Sequence, residues 1–381
     1  MKYFLLAGEA SGDIHAGRLI AALKKQDNNA EFCFLGGDYM IEASGVQPVI
    51  HYKQMAYMAF SEVLRHLPQI LGNMSRAKKA IKEFQPDAVI LIDYPSFNLK
   101  IAKYAYSLHI PVYYYISPKV WAWKEYRVKD IKKYIKKVFS ILPFETEFYA
   151  KHNYQVDYVG NPTVNEIAEA KKQVPEFVDF LQKHGIRDRR PMIAILPGSR
   201  VGEIRNNLPH MYQAAAQFAN FQPIVAAAPN IDKECYTNAL RRAGIKATPV
   251  LTDNDTFNLL SLSAVAIVTS GTATLEAAIL GIPQVVCYRA NGSKLAHKLF
   301  EHILKVKYVS LPNLIADKEV VKELLLHHCT AENIAKVIKP LFVESPEWRE
   351  MDEGYKLINQ RLGTMDSAET AAISLINDLK K

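Results

Sequence analysis

Short, almost purely apolar runs alternate with longer stretches in which apolar residues recur every three or four positions. The runs "YFLLA", "EFCFLGG", "AVILID" and "PVYYYIS" read as buried strands, and the amphipathic stretches around residues 14–25, 62–84 and 97–109 read as the helices between them. Strands without polar alternation, separated by helices, predict a parallel sheet covered on both faces. The rhythm weakens across 160–190, where "GNPTVNEIAEAKKQVPEF" is polar and helix-prone, then resumes with "PMIAILPGSR", "PIVAAAP", "AVAIVTSG" and "IPQVVCY". The pattern therefore predicts two doubly wound α/β domains: residues 1–163 and residues 164–345. The polar helical stretch 346–381 is expected to pack back on the first domain. No internal repeat or low-complexity segment interrupts this plan.

At 381 residues the chain exceeds one ordinary core, which agrees with two domains, and 49% hydrophobic with 23% charged residues is the composition of a folded globular protein. A net charge of +8 favours anionic partners without choosing among nucleotides, phospholipid surfaces and nucleic acid. Cys33, Cys235, Cys287 and Cys329 form no C-x-x-C pair, so they read as reduced, mostly buried thiols in a cytosolic protein. The apolar run at the start meets Glu9 too soon for a signal sequence, and no run has the length of a membrane helix, so any membrane contact is expected to be peripheral.

Two turns in the second half have the chemistry of anion sites. In "AILPGSRVGEI", Gly198 allows close backbone approach, while Ser199 and Arg200, at a helix start, can hydrogen-bond a phosphate. In "AIVTSGTATLEAAILG", Gly271, Thr272 and Ala273 open a second helix, and Glu276 lies one turn inside it, where a carboxylate can accept both hydroxyls of a ribose. Either turn alone could be an ordinary helix cap; both at strand ends of one sheet point to a nucleotide diphosphate. The first turn of the chain differs. "GEASGD" places Glu9 and Asp13 where a helix N-terminus would otherwise attract phosphate, so these carboxylates repel the guest such a turn usually holds. "TDNDT" sets Asp253 and Asp255 in a D-x-D, but Asp255 precedes "TFNLLSLS" and is read as its N-cap; with His327 and His328 taken as surface residues, no metal or other cofactor is expected.

Two doubly wound domains with the nucleotide on the second resemble the GT-B type of nucleotide-sugar transferase. The segments "GEASGD" (8–13), "DYPSFN" (93–98), "SPKVWAW" (117–123), "LPGSR" (196–200), "SGTATLE" (270–276) and "YVSLPNL" (308–314) together resemble the lipid A disaccharide synthase family, in a spacing that covers nearly the whole chain. Ala10 departs from the threonine more usual in that family's first turn, which puts one local hydroxyl contact in doubt. The resemblance implies inverting transfer of 2,3-diacylglucosamine from UDP-2,3-diacylglucosamine to the 6-hydroxyl of 2,3-diacylglucosamine 1-phosphate. The product is the β-1,6 lipid A disaccharide 1-phosphate, with UDP released, in a cytoplasmic enzyme peripheral to the inner membrane of a Gram-negative cell. It also implies a catalytic role for Asp93, at the end of "AVILID", with Glu9 and Asp13 as further carboxylates at the same site. Gly198, Ser199, Arg200, Gly271, Thr272, Ala273, Glu276 and Asn313 form the expected UDP site, while Asn98 and Trp121 are expected to contact the acceptor.

Other classes fit less well. "GEASGD" lacks the G-x-G-x-x-G spacing of a dinucleotide oxidoreductase. A UDP-sugar epimerase or another two-domain transferase would share the second domain and differ over residues 55–130. A non-enzymatic two-lobed binder has no use for a carboxylate at one strand end and an arginine anion loop at another, and no nucleic-acid module is recognisable. Lipid substrates also require apolar surface. In "SEVLRHLPQILGNM", Val63, Leu64, Leu67 and Leu71 lie on a helical stripe flanked by Arg65, Arg76, Lys78, Lys79 and Lys82, and Leu67 and Leu71 are expected to touch lipid. The basic segment "KEYRVKDIKKYIKK" from Lys124 has Val128, Ile131 and Ile135 along one side and is read as a core-packing helix with a solvated face.

Overall fold

The computed structural model describes residues 1–55, 67–229, 231–289 and 307–381. It divides into two units, Met1–Pro162 with Thr364–Lys381, and Thr163–Gly363.

The first unit is built on seven parallel strands: β1 (Lys2–Ala7), β2 (Glu31–Gly36), β3 (Ile50–His51), β4 (Ala88–Ile92), β5 (Val112–Tyr115), β6 (Lys137–Ser140) and β7 (Asp157–Tyr158), in the order β3-β2-β1-β4-β5-β6-β7. The second has six, all parallel: β8 (Met192–Leu196), β9 (Gln222–Ala227), β10 (Val250–Asp253), β11 (Ser263–Thr269), β12 (Gln284–Tyr288) and β13 (Lys322–Leu325), in the order β10-β9-β8-β11-β12-β13. Both are doubly wound. Each sheet therefore has a switch point, between β1 and β4 in the first and between β8 and β11 in the second, where successive connections leave to opposite faces and open a crevice beyond the carboxyl ends of the strands.

The central strands are buried on both faces, which is why their sequences show no polar alternation: Tyr3 through Ala7, Ala88 through Ile92 and Met192 through Ile195 have no exposed surface. The registers Ala7↔Ile92 and Leu196↔Val268 bring the four loops of interest side by side in pairs, residues 8–13 with 93–98 and residues 197–200 with 270–273.

The chain's last two helices part company. Helix Pro346–Leu362, expected on the first domain, packs on the second: the Tyr355 hydroxyl donates to the Ile282 carbonyl at 3.0 Å, and Arg361 Nη1 donates to the Ile315 carbonyl at 2.6 Å. Gly354 makes that fit possible, because a Cβ there would meet Val320 Cγ1 at 2.3 Å. Only helix Ser367–Leu379 returns to the first unit. It buries Ala371, Ala372, Leu375 and Ile376 in the core formed with β1 and the first helix, and the Tyr115 hydroxyl bonds Ser367 Oγ at 3.0 Å. Burying a large aliphatic side chain is worth about 1.5–3 kcal/mol, so this apolar face holds the tail in place.

Candidate active site at the two switch points

The first helix, Ala10–Gln26, starts two residues after β1, so the acidic turn is its N-terminus. Glu9 is the half-buried N-cap residue and its side chain does not cap its own helix. Gly8 is required by a neighbour: a Cβ there would lie 2.4 Å from the ring of Tyr94. Tyr94 in turn donates its hydroxyl to the Met55 carbonyl at 3.0 Å.

Asp13, expected at the chemistry, is instead spent on structure. It is 1% exposed, and its carboxylate accepts the backbone N–H groups of Gly37 at 2.7 Å, Tyr39 at 3.1 Å and Met40 at 3.3 Å. Those are the unpaired donors of the short helix Asp38–Ser44, so Asp13 caps from afar a helix whose own N-cap position holds Gly37, which has no side chain to do it.

Asp93 follows β4 directly, with φ of 41°, and Tyr94 has φ of 47°. Two successive non-glycine residues in the left-handed region are strained, and such strain persists only where the surroundings hold it. Asn98 supplies the hold: it is fully buried, and its amide donates to the carbonyls of Ile92 at 3.1 Å and Asp93 at 2.7 Å. The Tyr114 hydroxyl also donates to the Asp93 carbonyl. Asn98 is thus the clamp of the Asp93 turn through its amide nitrogen, while its Oδ1 is buried without a hydrogen-bond partner. With its backbone pinned, Asp93 presents its carboxyl in a half-buried position where burial pushes the pKa up against the pull of Lys119 and the Tyr94 N–H.

Trp121 also turns inward. It is 9% exposed, packs edge-on against Phe144 at a centroid distance of 5.0 Å, and donates its indole N–H to Glu145 Oε1 at 2.9 Å. The Trp123 side chain lies outside the described residues. Sequence reasoning missed Glu145 altogether, because a glutamate in "PFETEFY" reads as an ordinary first-turn acid. Its signal emerges only in three dimensions, as a carboxyl 1% exposed.

At the second switch point, Gly198 adopts a φ of 113° and Arg200 is the N-cap residue of helix Val201–Ala215. The loop is already engaged by an internal anion: Glu203 accepts the Ser199 N–H at 3.1 Å and pairs with Arg200 Nη1 at 3.2 Å. A carboxylate on a loop's N–H and guanidinium marks groups that also suit a phosphate. Glu203 went unremarked in the sequence, although "GSRVGE" puts it one turn inside the helix, where it can reach back. The Arg200 side chain is 70% exposed and available to a ligand.

Opposite, Gly271 is the N-cap of helix Thr272–Leu280, Thr272 is exposed and Ala273 half-buried. Glu276 is half-buried, and burial together with the neighbouring Glu166 raises its pKa. Asn313 is no ligand contact: fully buried, it donates to the Val321 carbonyl and Glu323 Oε1, both at 2.9 Å, and accepts the N–H groups of Val320 at 2.7 Å and Val321 at 2.9 Å. Glu323 also holds Ser310, so "YVSLPNL" is a rigid corner, and its Val309 carbonyl accepts the Ser270 hydroxyl beside Gly271.

The D-x-D holds internal pairs. Asp255 sits at the N-cap position but does not cap its helix; it binds Lys183 Nζ at 2.6 Å and His184 Nε2 at 2.7 Å, while Asp253 pairs with Lys233 at 2.5 Å. Among the described residues no group of three histidine, cysteine or acidic side chains could hold a metal ion. Cys287 and Cys329 are buried, and Cys33 and Cys235 are half-buried, all as free thiols.

Of the expected lipid stripe, Val63 and Leu64 and the side chain of Leu67 lie outside the described residues. Helix Leu67–Phe84 buries Met74, Ala77 and Ile81 in the core and leaves Leu71 55% exposed. Val128, Ile131 and Ile135 of the second basic segment are core residues. No helix of the described residues is long and apolar enough to cross a membrane.

Two doubly wound parallel sheets, each with a candidate site at its own switch point, define a GT-B-type fold. Its solved neighbours share that fold: UDP-GlcNAc 2-epimerase from Neisseria meningitidis bound to UDP-GlcNAc (TM-score 0.61, 16% identity, 100% of both chains) and UDP-GlcNAc 2-epimerase from Methanocaldococcus jannaschii in complex with UDP-GlcNAc and UDP (TM-score 0.65, 12% identity, 99% of this chain and 100% of that one). A family model described as lipid-A-disaccharide synthetase matches residues 3–376. The lipid-A-disaccharide synthase of Myxococcus xanthus (strain DK1622) is 37% identical over 379 residues, 98% of this chain and 97% of its own, and that of Acidobacterium capsulatum is 35% identical over 385 residues, 98% and 94%. The chain belongs to the lipid-A-disaccharide synthase family of glycosyltransferases.

Proposed function

We propose that the chain transfers 2,3-diacylglucosamine from UDP-2,3-diacylglucosamine to the 6-hydroxyl of 2,3-diacylglucosamine 1-phosphate, with inversion at the anomeric carbon. The observation that carries this reading is the pinned, half-buried Asp93 at the first switch point, in a chain whose second switch point carries the Gly198–Arg200 anion loop. In one displacement, Asp93 accepts the proton of the acceptor 6-hydroxyl as that oxygen attacks the anomeric carbon, and the bond from that carbon to the diphosphate breaks. A carboxylate whose pKa is raised is a stronger base than an exposed one, and a general base contributes roughly 10²–10⁴-fold.

Negative charge grows on the departing diphosphate, and donors aimed at it act mainly in the transition state. Arg200 and the Ser199 N–H take that role once Glu203 yields them, and Glu276 accepts the ribose hydroxyls. Glu9, beside Gly8, binds sugar hydroxyls. No divalent cation is needed, because arginine and backbone dipoles stabilise the leaving group. Exposed Leu71, on a helix that also carries Arg76, Lys78, Lys79 and Lys82, supports docking to an anionic inner-membrane surface from the cytoplasm.

The test is product analysis. Purified protein with both substrates and a chelator is expected to yield UDP and a disaccharide 1-phosphate by mass; a UDP-sugar isomer with no disaccharide would favour an epimerase instead.

A further inference from the structure

Both residues expected to meet the acceptor, Asn98 and Trp121, bond internal partners, so the acceptor's charged group has yet to be matched. The carboxyl edge of β4 and β5 holds groups that match it. Ser96 is exposed, three residues after Asp93, and its hydroxyl oxygen accepts Arg127 Nη2 at 3.0 Å. Arg127 is half-buried, and Ser96 is the guanidinium's one hydrogen-bond partner among the described residues. A group with five N–H donors therefore spends one of them and meets no carboxylate. Glu125, the acid in the same segment, pairs with His152 at 3.1 Å. Lys119, exposed after β5, is near enough to favour the charged form of Asp93 against the effect of burial. Lys124 is near enough to Arg127 that, after burial, the arginine's charge helps lower the lysine's pKa. These cations also lie beside the start of helix Pro95–Ser107, which no side chain caps and whose partial positive charge repels them. Like charges so placed repel one another, and a bound anion relieves the repulsion.

We propose that Arg127, with the Ser96 hydroxyl and Lys119, binds a phosphate monoester, the anomeric phosphate of the acceptor sugar, and thereby sets which end of the acceptor faces Asp93. The inference rests on the reading of Asp93 as the base. A phosphate monoester carries a charge of about −1.5 to −2 at neutral pH, so drawing one up to a half-buried carboxylate is repulsive unless cations offset it. An arginine suits the task better than an ammonium, because two parallel N–H donors match two phosphate oxygens. Ser96 fixes the guanidinium through one donor and leaves four. Neighbouring strands lie about 4.8 Å apart, and the register Ile92↔Tyr115 sets the segment carrying Lys119 beside the Asp93 turn at that spacing. One pyranose ring separates the acceptor's 6-hydroxyl from its phosphate, so a sugar with that hydroxyl on Asp93 brings its phosphate to the same strip of the sheet edge. The consequence is selectivity: a diacylglucosamine without the phosphate loses the contacts that orient its 6-hydroxyl.

The experiment compares two acceptors, 2,3-diacylglucosamine 1-phosphate and 2,3-diacylglucosamine, in detergent micelles with the full chain and UDP-2,3-diacylglucosamine. The parent is expected to favour the phosphorylated acceptor in kcat/KM by about 100-fold or more. Arg127→Gln is expected to lower that preference by about 10–100-fold, the effect of lost charge-assisted hydrogen bonds, through KM for the acceptor while KM for the UDP-sugar stays put. Lys119→Gln, at an exposed position where folding is not at stake, is expected to lower it by about threefold. A structural role for Arg127 slows both acceptors alike, so an unchanged preference in folded Arg127→Gln, or in Lys119→Gln if the arginine variant does not fold, overturns the proposal. Cosedimentation with phosphatidylglycerol vesicles tests a lipid headgroup as the source of the phosphate. Vesicle binding lost in Arg127→Gln with the acceptor preference intact overturns the proposal and assigns these cations to the membrane. Equilibrium binding of 2,3-diacylglucosamine 1-phosphate needs no turnover and separates the site from the reaction. Binding weakened about 10–100-fold by Arg127→Gln, in a protein that forms no disaccharide, keeps the phosphate site and overturns the assigned reaction; disaccharide formation with unchanged binding overturns the phosphate site alone.

Discussion

Replacing Asp13 separates a structural carboxylate from a chemical one. Asp13→Ala leaves three backbone donors, those of Gly37, Tyr39 and Met40, without their acceptor, and two of those hydrogen bonds are fully buried. A hydrogen bond to a charged group contributes about 1.5–3 kcal/mol and a buried orphan donor costs about 1–3 kcal/mol. The carboxylate's interaction with the helix N-terminus adds about 0.3–1 kcal/mol. These contributions overlap, and about 3–5 kcal/mol is the expected loss for the alanine variant. Asp13→Asn keeps one oxygen for Gly37 and Met40 but turns an N–H₂ toward Tyr39, so its loss is roughly half as large. At about 2–4 °C per kcal/mol for a unit of this size, the first unit's Tm falls by roughly 6–20 °C in Asp13→Ala. Differential scanning calorimetry resolves that unit from the second, whose transition and UDP affinity stay put. Turnover per folded molecule stays within about threefold of the parent. An Asp13→Asn variant with an unchanged Tm and turnover reduced a hundredfold would refute this reasoning and return Asp13 to the chemistry.

Arg200→Ala removes a charge-assisted donor to the diphosphate and is expected to weaken UDP binding by about 10–100-fold in calorimetry, with Tm nearly unchanged because the side chain is exposed; an unchanged Kd would remove Arg200 from the phosphate site. Leu71→Ser is expected to cut cosedimentation with anionic vesicles and activity on bilayer-embedded substrate while changing stability by under about 0.5 kcal/mol, and raised salt should weaken vesicle binding of the parent. Vesicle binding indifferent to both changes would place the lipid contact elsewhere.

The two sheets were legible because buried parallel strands announce themselves as unbroken apolar runs, and the strand order puts both suspected turns at switch points. The edge strands Ile50–His51 and Asp157–Tyr158 carry two residues each, too few to stand out. Glycines and the exposed Arg200 could be placed from local spacing, since what they do depends on the turn itself. Asp13, Asn98, Trp121 and Asn313 could not. Each is a polar side chain in a suggestive motif whose partners lie elsewhere in the chain, up to 27 residues away for the Asp13–Met40 bond, and only the fold reveals what its hydrogen bonds hold. The reverse holds for Glu145 and Glu203, plain glutamates in sequence that three-dimensional contacts single out. Helix Pro346–Leu362 was assigned to the wrong unit for a similar reason: its amphipathic pattern demands an apolar partner without saying which.

The central claim is that a single pinned carboxyl at the first switch point takes the acceptor's proton. Single-turnover transfer by Asp93→Asn, measured with saturating UDP-2,3-diacylglucosamine and 2,3-diacylglucosamine 1-phosphate, tests it most directly. The account predicts a rate lowered by roughly 10²–10⁴-fold with UDP affinity unchanged and with Tm at neutral pH equal to or above the parent's, since the variant no longer buries a group whose charged form is disfavoured there. Disaccharide formed at near-parental rate by a folded Asp93→Asn would contradict it.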